Sequence, residues 1–343
     1  MTVFAAWRDG IRRVNRAPVV LIGVWLMTVL VSLPLAAAMR GLLRDHLGAS
    51  LAADNAAGGV NYDWMQEFTS QANGVGVTFG PAVLGFAAVL DNLSAFLDNT
   101  PRPLAIAFAA AIYLGLWMFL AGGIIDRYAR DRITRVHGFF SASGVFFFRF
   151  LRLGVLMGLA YGLIVRSLHP WLFGTVYPRV TNDITVERAA FLVRLGLYAV
   201  FALGLAACNV LFDYAKVRAV VEDRRSMIGA TAAGARFIVR NAPAAGGLYV
   251  VNVILFAIVL AAYAVVAPGA GGAGWSMWLA FVVGQAYVAA RLWVKLVFWA
   301  SETALFQGRL AHAGYVAAPV REWPDGPMAE AIGRSTLKVQ SSK

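Results

Sequence analysis

Tyr287, Arg291 and Lys295 recur every four residues, with Gln285 beside them, in a stretch that is otherwise almost wholly apolar. Side chains four apart share one face of a helix, so a phenol, a guanidinium and an ammonium would line up along one side. Cations in apolar surroundings either pair with carboxylates and lock helices together, or receive an anion such as the phosphate or carboxylate of a lipid headgroup. The carboxylates nearest in depth are Asp126, Asp213 and Glu302, each at the end of an apolar stretch. Both readings stand: a structural ion-pair cluster, or a cationic pocket. If the stretch ends near Ala300, Lys295 lies about 7 Å and Arg291 about 13 Å from that end, at 1.5 Å per residue. Lys295 can snorkel to water, whereas Arg291 needs a partner. Arg194, Asn209 and Asn252 are single polar residues of the kind that bond to a neighbouring helix.

Other chemistry finds no support. Gly269 to Gly274 match G-x-G-x-x-G, but no strand precedes them and apolar stretches flank them, so they read as a turn. His46, His137, His169 and His312 lack paired ligand spacing, and a single cysteine, Cys208, excludes an intramolecular disulfide and a cysteine zinc site. There is no G-x-S-x-G elbow and no Walker loop. The expectation is therefore no catalytic residue, no cofactor and no metal.

The elements that must position these residues are long apolar runs, at about 17–39, 104–125, 145–168, 190–212, 245–267 and 276–300. A helix needs roughly 20 apolar residues to cross a hydrocarbon core of about 30 Å. Composition agrees: 60% of residues are hydrophobic and only 14% charged, far from the soluble norm. The net charge of +12 does not point to nucleic acid, because the basic residues flank the apolar runs instead of gathering on one soluble face. Arg8, Arg12, Arg13 and Arg16 precede the first run; Arg127, Arg130, Arg132 and Arg135 follow the second; Lys216, Arg218, Arg224, Arg225, Arg236 and Arg240 follow the fourth. Segment 40–103 holds three arginines, Arg102 among them, against six acids, and 268–275 holds no charge. The positive-inside rule then places both termini in the cytoplasm of a bacterial-type inner membrane. Ala36 to Ala38 resemble a signal-peptide cleavage site, but the first run, at about 23 residues, is longer than a signal h-region and is expected to remain as a span.

The runs repeat. Tyr128-Ala129-Arg130, Tyr214-Ala215-Lys216 and Trp299-Ala300-Ser301 close the even-numbered spans, 86 and 85 positions apart. Arg13 to Pro18 open the first span much as Ile238 to Pro243 open the fifth, with each proline at a first-turn position where its missing N–H costs little. Before the third span, Phe146 to Arg152 keep the basic and aromatic character without the proline. The pattern predicts an all-α, six-span bundle of three repeated hairpins, each with a cytoplasmic amphipathic entry helix. The units fall at about 1–130, 131–216 and 217–301 of a membrane domain 1–303, followed by a short tail 304–343. In the first entry helix Phe4, Trp7, Ile11 and Val14 form the apolar face, and Arg8, Arg12 and Arg16 would meet anionic lipid. Gly154, Gly158 and Gly162 form a ladder expected to let another backbone approach closely.

The long connection 40–103 is expected to carry a surface helix or cap, with Val83, Phe86, Val89, Leu90, Leu93, Phe96 and Leu97 on one side and Asp91, Asn92 and Asp98 off it. Tyr62 and Trp64 read there as interfacial anchors. The exits Asp126 to Arg130 and Phe212 to Arg218, with the basic entry helix, resemble a group of bacterial six-helix membrane proteins similar to the membrane domain attached to some glycerophosphoryl diester phosphodiesterases. The resemblance implies a helical membrane domain and carries no activity, since only 43 residues, 301–343, follow the last run. The leading expectation is a non-catalytic membrane module that organises lipids or a protein partner. The alternative is a transporter of a lipid-like or anionic solute, and the third reading an intramembrane enzyme.

Overall fold

The structure is a computed structural model that describes residues 1–310, apart from 49, 60, 81, 83–84, 102, 132–133 and 270–273. Val83, Arg102, Arg132, the centre of the 269–274 glycine motif, His312 and the tail beyond 310 lie outside the described residues. Twelve α-helices are described. The amphipathic α1 (Val3–Asn15) leads into α2 (Pro18–Leu47), and α3 (Ala53–Gly58), α4 (Tyr62–Gln71) and α5 (Gly85–Leu97) occupy the long connection. Next come α6 (Leu104–Arg130), α7 (Val136–Leu163) and α8 (Tyr177–Thr181), then α9 (Glu187–Val221), α10 (Met227–Arg240), α11 (Ala242–Val266) and α12 (Trp275–Arg309). Two π-helical stretches, Ile164–Leu168 and Trp171–Val176, join α7 to α8 on either side of Pro170, whose missing N–H loosens the ladder there. Six helical segments are long and apolar enough to cross a membrane: α2, α6, the α7–α8 rod, α9, α11 and α12. Large apolar side chains such as Val19, Ile22, Leu26 and Leu30 on α2 are exposed, as lipid-facing residues must be.

Several helices outrun their apolar cores. The third span and its entry helix form one rod from Val136 onward, so no separate amphipathic helix precedes it. The last helix continues to Arg309, so residues 304–309 extend the bundle and do not begin a tail. The 40–103 connection is largely helical, and Trp64 and Phe68 of α4 pack with Phe79 against the end of α2, where the Trp64 indole donates to His46 Nδ1 at 3.0 Å. Trp64 is thus a core residue of this outer layer and not an interfacial anchor, while Tyr62 stays exposed.

Burial is concentrated at one end of the bundle, the end bearing most arginines. It runs through 120–129 of α6, 205–221 of α9 and 292–306 of α12, and the opposite ends of those helices are largely exposed. Three seams dominate the packing there: α6 with α7, α9 with α10, and α12 with α1. Each seam closes over a glycine. A Cβ on Gly10 of α1 would lie 2.7 Å from the Ser301 backbone, one on Gly123 of α6 would lie 2.7 Å from the Phe139 carbonyl, and one on Gly234 of α10 would lie 3.3 Å from the Ala215 nitrogen. The three seams close a ring, because α1 seats on α12, the last described helix.

The seating of α1 corrects its expected apolar face. Ala6, Gly10 and Val14 are buried, Trp7 and Ile11 pack at their edge, and Phe4 points away, 69% exposed. Of its arginines, Arg13 does the clamping: its guanidinium donates to the Tyr128 carbonyl at 2.7 Å and to Gln307 Oε1 at 2.8 Å, and pairs with Asp9. Arg12 and Arg16 reach Asp131 at 3.6 and 3.7 Å, and Arg8 is exposed. Within the chain, only one member of the α7 glycine ladder packs against another helix. Gly154 abuts Met118, but a Cβ on Gly158 or Gly162 would meet nothing within 4 Å among the described residues.

Candidate functional site

The arginine-rich end of the bundle encloses a cavity of about 490 Å³ between α6, α7, α9, α11 and α12. Its ionisable lining residues among those described include Lys216 of α9, Arg291 and Lys295 of α12, and one carboxylate, Asp213 of α9. Aromatic side chains form much of the remaining wall, including Trp117, Tyr161 and Trp299. The helices bring these groups together because α9 and α12 run side by side, and Asn209, Asp213 and Lys216 sit one turn apart on α9.

Asp213 is the hub. Only 3% exposed, it accepts from Lys216 Nζ at 2.7 Å and from the Trp299 indole N–H at 3.1 Å on Oδ1, and from the Asn209 amide at 3.0 Å on Oδ2. These three donors occupy both oxygens. Lys295 finds aromatic faces instead: its ammonium lies 3.5 Å from the centroid of the Trp117 ring and 5.7 Å from that of Trp299. The two indoles meet edge to face at 5.4 Å, and Lys216 stands 5.2 Å from the Trp299 ring. Such contacts are worth about 0.5–2 kcal/mol each, more when desolvated, and they hold an ammonium without neutralising it. Arg291 is exposed on the cavity wall, and among the described residues neither it nor Lys295 forms an ion pair.

The sequence-based candidates therefore divide. Asp213 and Lys295 do converge on one cavity, with Arg291 at its edge. Asp126 does not join them: it bonds Arg130 Nε at 2.8 Å, one turn along its own helix, because its face of α6 is turned toward the seam. Glu302 lies behind the cavity wall, 2% exposed, near enough to Asp213 and Lys216 to feel both charges, and its Oε2 has no hydrogen-bond partner among the described residues. Tyr287 points the other way and stacks on Tyr263, with centroids 4.0 Å apart. A full ion-pair cluster joining all three carboxylates to Arg291 and Lys295 is not formed.

Of the weaker candidates, Asn209 serves Asp213, Asn252 donates to Ser301 Oγ at 3.0 Å, and Arg194 lies at the far end, 3.4 Å from Asp98. Lys216 and the two tryptophans escaped the sequence reading. Lys216 counted only as a flanking charge and Trp299 as part of the repeated element that closes the last span, and no spacing relates Trp117 to either. Chemically, the site offers three basic side chains and one already satisfied carboxylate in a largely aromatic lining, which suits a phosphate or carboxylate group. Comparison of the chain with models of known protein families, with curated proteins and with solved structures yields no match in any of the three.

Proposed function

We propose that the protein is a non-catalytic, multi-pass module of a bacterial-type inner membrane that holds the anionic group of a lipid or lipid-like solute in its cytoplasmic half. One observation carries this reading. Asp213 is fully engaged by Lys216, Asn209 and Trp299, and Lys295 and Arg291 then face the cavity with no carboxylate of their own among the described residues. Unneutralised cations within a span are costly and mark binding or conduction paths. The basic end of the bundle is assigned to the cytoplasm by the positive-inside rule.

Gly10 of α1 touches Ser301, so if α1 lies in the headgroup plane, Lys295 sits about 9 Å and Arg291 about 15 Å deeper along α12, at 1.5 Å per residue. A headgroup entering from the inner leaflet would meet Lys295 first. The three glycine seams are what three parallel hairpin repeats around an axis along the membrane normal would produce, and they support that architecture as the origin of the ring.

The test is native mass spectrometry of protein released from nanodiscs of phosphatidylglycerol or of phosphatidylcholine. Wild type should retain phosphatidylglycerol selectively, and Arg291→Ala and Lys295→Met should lose that selectivity while still folding. Equal retention of both lipids by all three proteins would sink the proposal and turn attention to a protein partner.

A further inference from the structure

The far half of the bundle contains a second cavity, of about 750 Å³, bounded by α5, α11 and α12. On α12 its wall is Ala280, Gly284, Val288 and Arg291, residues at helical spacing on one face, and on α5 it is Ala88, Val89, Asn92, Leu93 and Phe96. Asn92, expected off the apolar stripe, thus faces the cavity. Most polar groups in this lining are engaged within the protein. The Gln285 carbonyl accepts from the Trp25 indole at 3.1 Å, the Asn92 amide donates to the Ala88 carbonyl at 2.7 Å, and Tyr287 is stacked on Tyr263. Arg291 is the ionised group in the wall, and it lines the first cavity as well, as does Phe256.

We infer that the two cavities are halves of one site, and that its ligand is an anionic amphiphile: the charged group lies between Lys295 and Arg291, and an acyl chain runs past Val288 and Gly284 into the cavity beneath α5. This rests on the anion-binding reading above and adds the chain. From Arg291 to Ala280 the helix rises about 16 Å, close to the roughly 15 Å that half of a 30 Å hydrocarbon core allots to one chain. Both volumes fall within the roughly 300–1,000 Å³ usual for ligand pockets. Gly284 keeps the path clear, since a Cβ there would meet nothing within 4 Å.

The roof is held at both ends. Gly85 begins α5 with φ +63°, a left-handed conformation that favours glycine, and a Cβ there would collide with the Pro268 carbonyl oxygen. At the other end His169 Nε2 donates to the Leu97 carbonyl at 2.8 Å, and Leu97 packs beside Leu172, Phe201 and Leu205. A strap fixed at both rims leaves the space beneath it available to a chain.

The test adds side-chain volume to the far cavity without touching a charge. Gly284→Leu, with Ala280→Leu as a second filling variant on the same face, is compared with wild type and Lys295→Met for retention of long-chain phosphatidylglycerol, with glycerol phosphate as chainless competitor. Filling should cut retention of the lipid about tenfold, the weight of roughly two buried methylenes, and leave the competitor's binding unchanged. If both filling variants hold the lipid as wild type does while Lys295→Met releases it, the far cavity is not part of the site and only the anion reading survives. Glycerol phosphate binding wild type as tightly as the lipid would also overturn the inference, in favour of a free anion. If wild type retains neither probe, the anion reading itself falls.

Discussion

Asp213→Asn keeps the side-chain shape and removes one charge from the best-connected carboxylate of the protein. The aspartate is 3% exposed and accepts from an ammonium, an indole and an amide. An asparagine leaves Lys216 without its countercharge even if the Asn209 amide turns over to accept from the new NH₂. Removing one partner of a buried, hydrogen-bonded ion pair costs about 3–5 kcal/mol, and the loss should appear directly in thermal or SDS titration of the purified variant. Anion binding should move in the opposite direction. Lys216, released from its carboxylate, joins Lys295 and Arg291 facing the cavity, and affinity for phosphatidylglycerol should rise by about tenfold, or about 1.4 kcal/mol. Mass action then predicts that added anionic lipid raises the melting temperature of the variant more than that of wild type. The double variant Asp213→Asn/Lys216→Met removes both charges and should recover most of the lost stability while surrendering the gain in affinity. An Asp213→Asn protein as stable as wild type, or one that loses stability and lipid together, would refute the assignment of Asp213 as the internal counterion of Lys216.

The seam glycines make a second prediction: Gly10→Ala and Gly123→Ala should each cost about 1–3 kcal/mol of stability by overpacking, whereas Gly158→Ala and Gly162→Ala, facing open space, should stay within about 0.5 kcal/mol; equal costs at all four in SDS titration would remove the ring of seams. The far-end strap should respond to acid. The Tyr198 hydroxyl, above all, holds the Asp98 carboxyl below its ordinary value of 3.8; burial opposes it as the next largest effect, and Ser94 and Arg194 add to the lowering. A folded pKa below the unfolded one gives a stabilisation that is present above the ordinary value and lost as pH falls through the folded one. Hydrogen exchange in the last turn of α5, corrected for intrinsic rate, should therefore accelerate as pH falls through and below the ordinary value of 3.8, and Tyr198→Phe should weaken the strap above it; a pH-independent α5 would contradict the pin.

Much of the fold follows from local pattern. The six spans, the amphipathic character of α1 and the shared face of Arg291 and Lys295 each depend on periodicity within one segment, which a helix converts directly into geometry. The errors arose where a pattern had to choose a neighbour. The Gly154–Gly158–Gly162 ladder has the spacing of a packing face, yet only its first member touches another helix. The effective glycines, Gly10, Gly123 and Gly234, belong to no repeated glycine ladder, although Gly10 follows Ala6 and Gly234 follows Ala230 by a single step of four. Phe4 follows the apolar rhythm of α1 but lies beyond the arc that Ala6, Gly10 and Val14 bury against α12.

The candidate site shows the same division. The sequence by itself determined that basic residues lie within the last long apolar run, that carboxylates stand near the ends of others, and that six segments are long and apolar enough to cross a membrane, because apolar length and charge placement are properties of the chain. Only the tertiary structure decided that Asp213 belongs to Lys216 and not to Arg291, that Asp126 turns to Arg130, and that Trp117 and Trp299 hold Lys295 between them. These pairings depend on the rotation of α6, α9 and α12 about their own axes. That rotation is set by how side chains fill the seams between helices, at contacts separated by scores of residues along the chain.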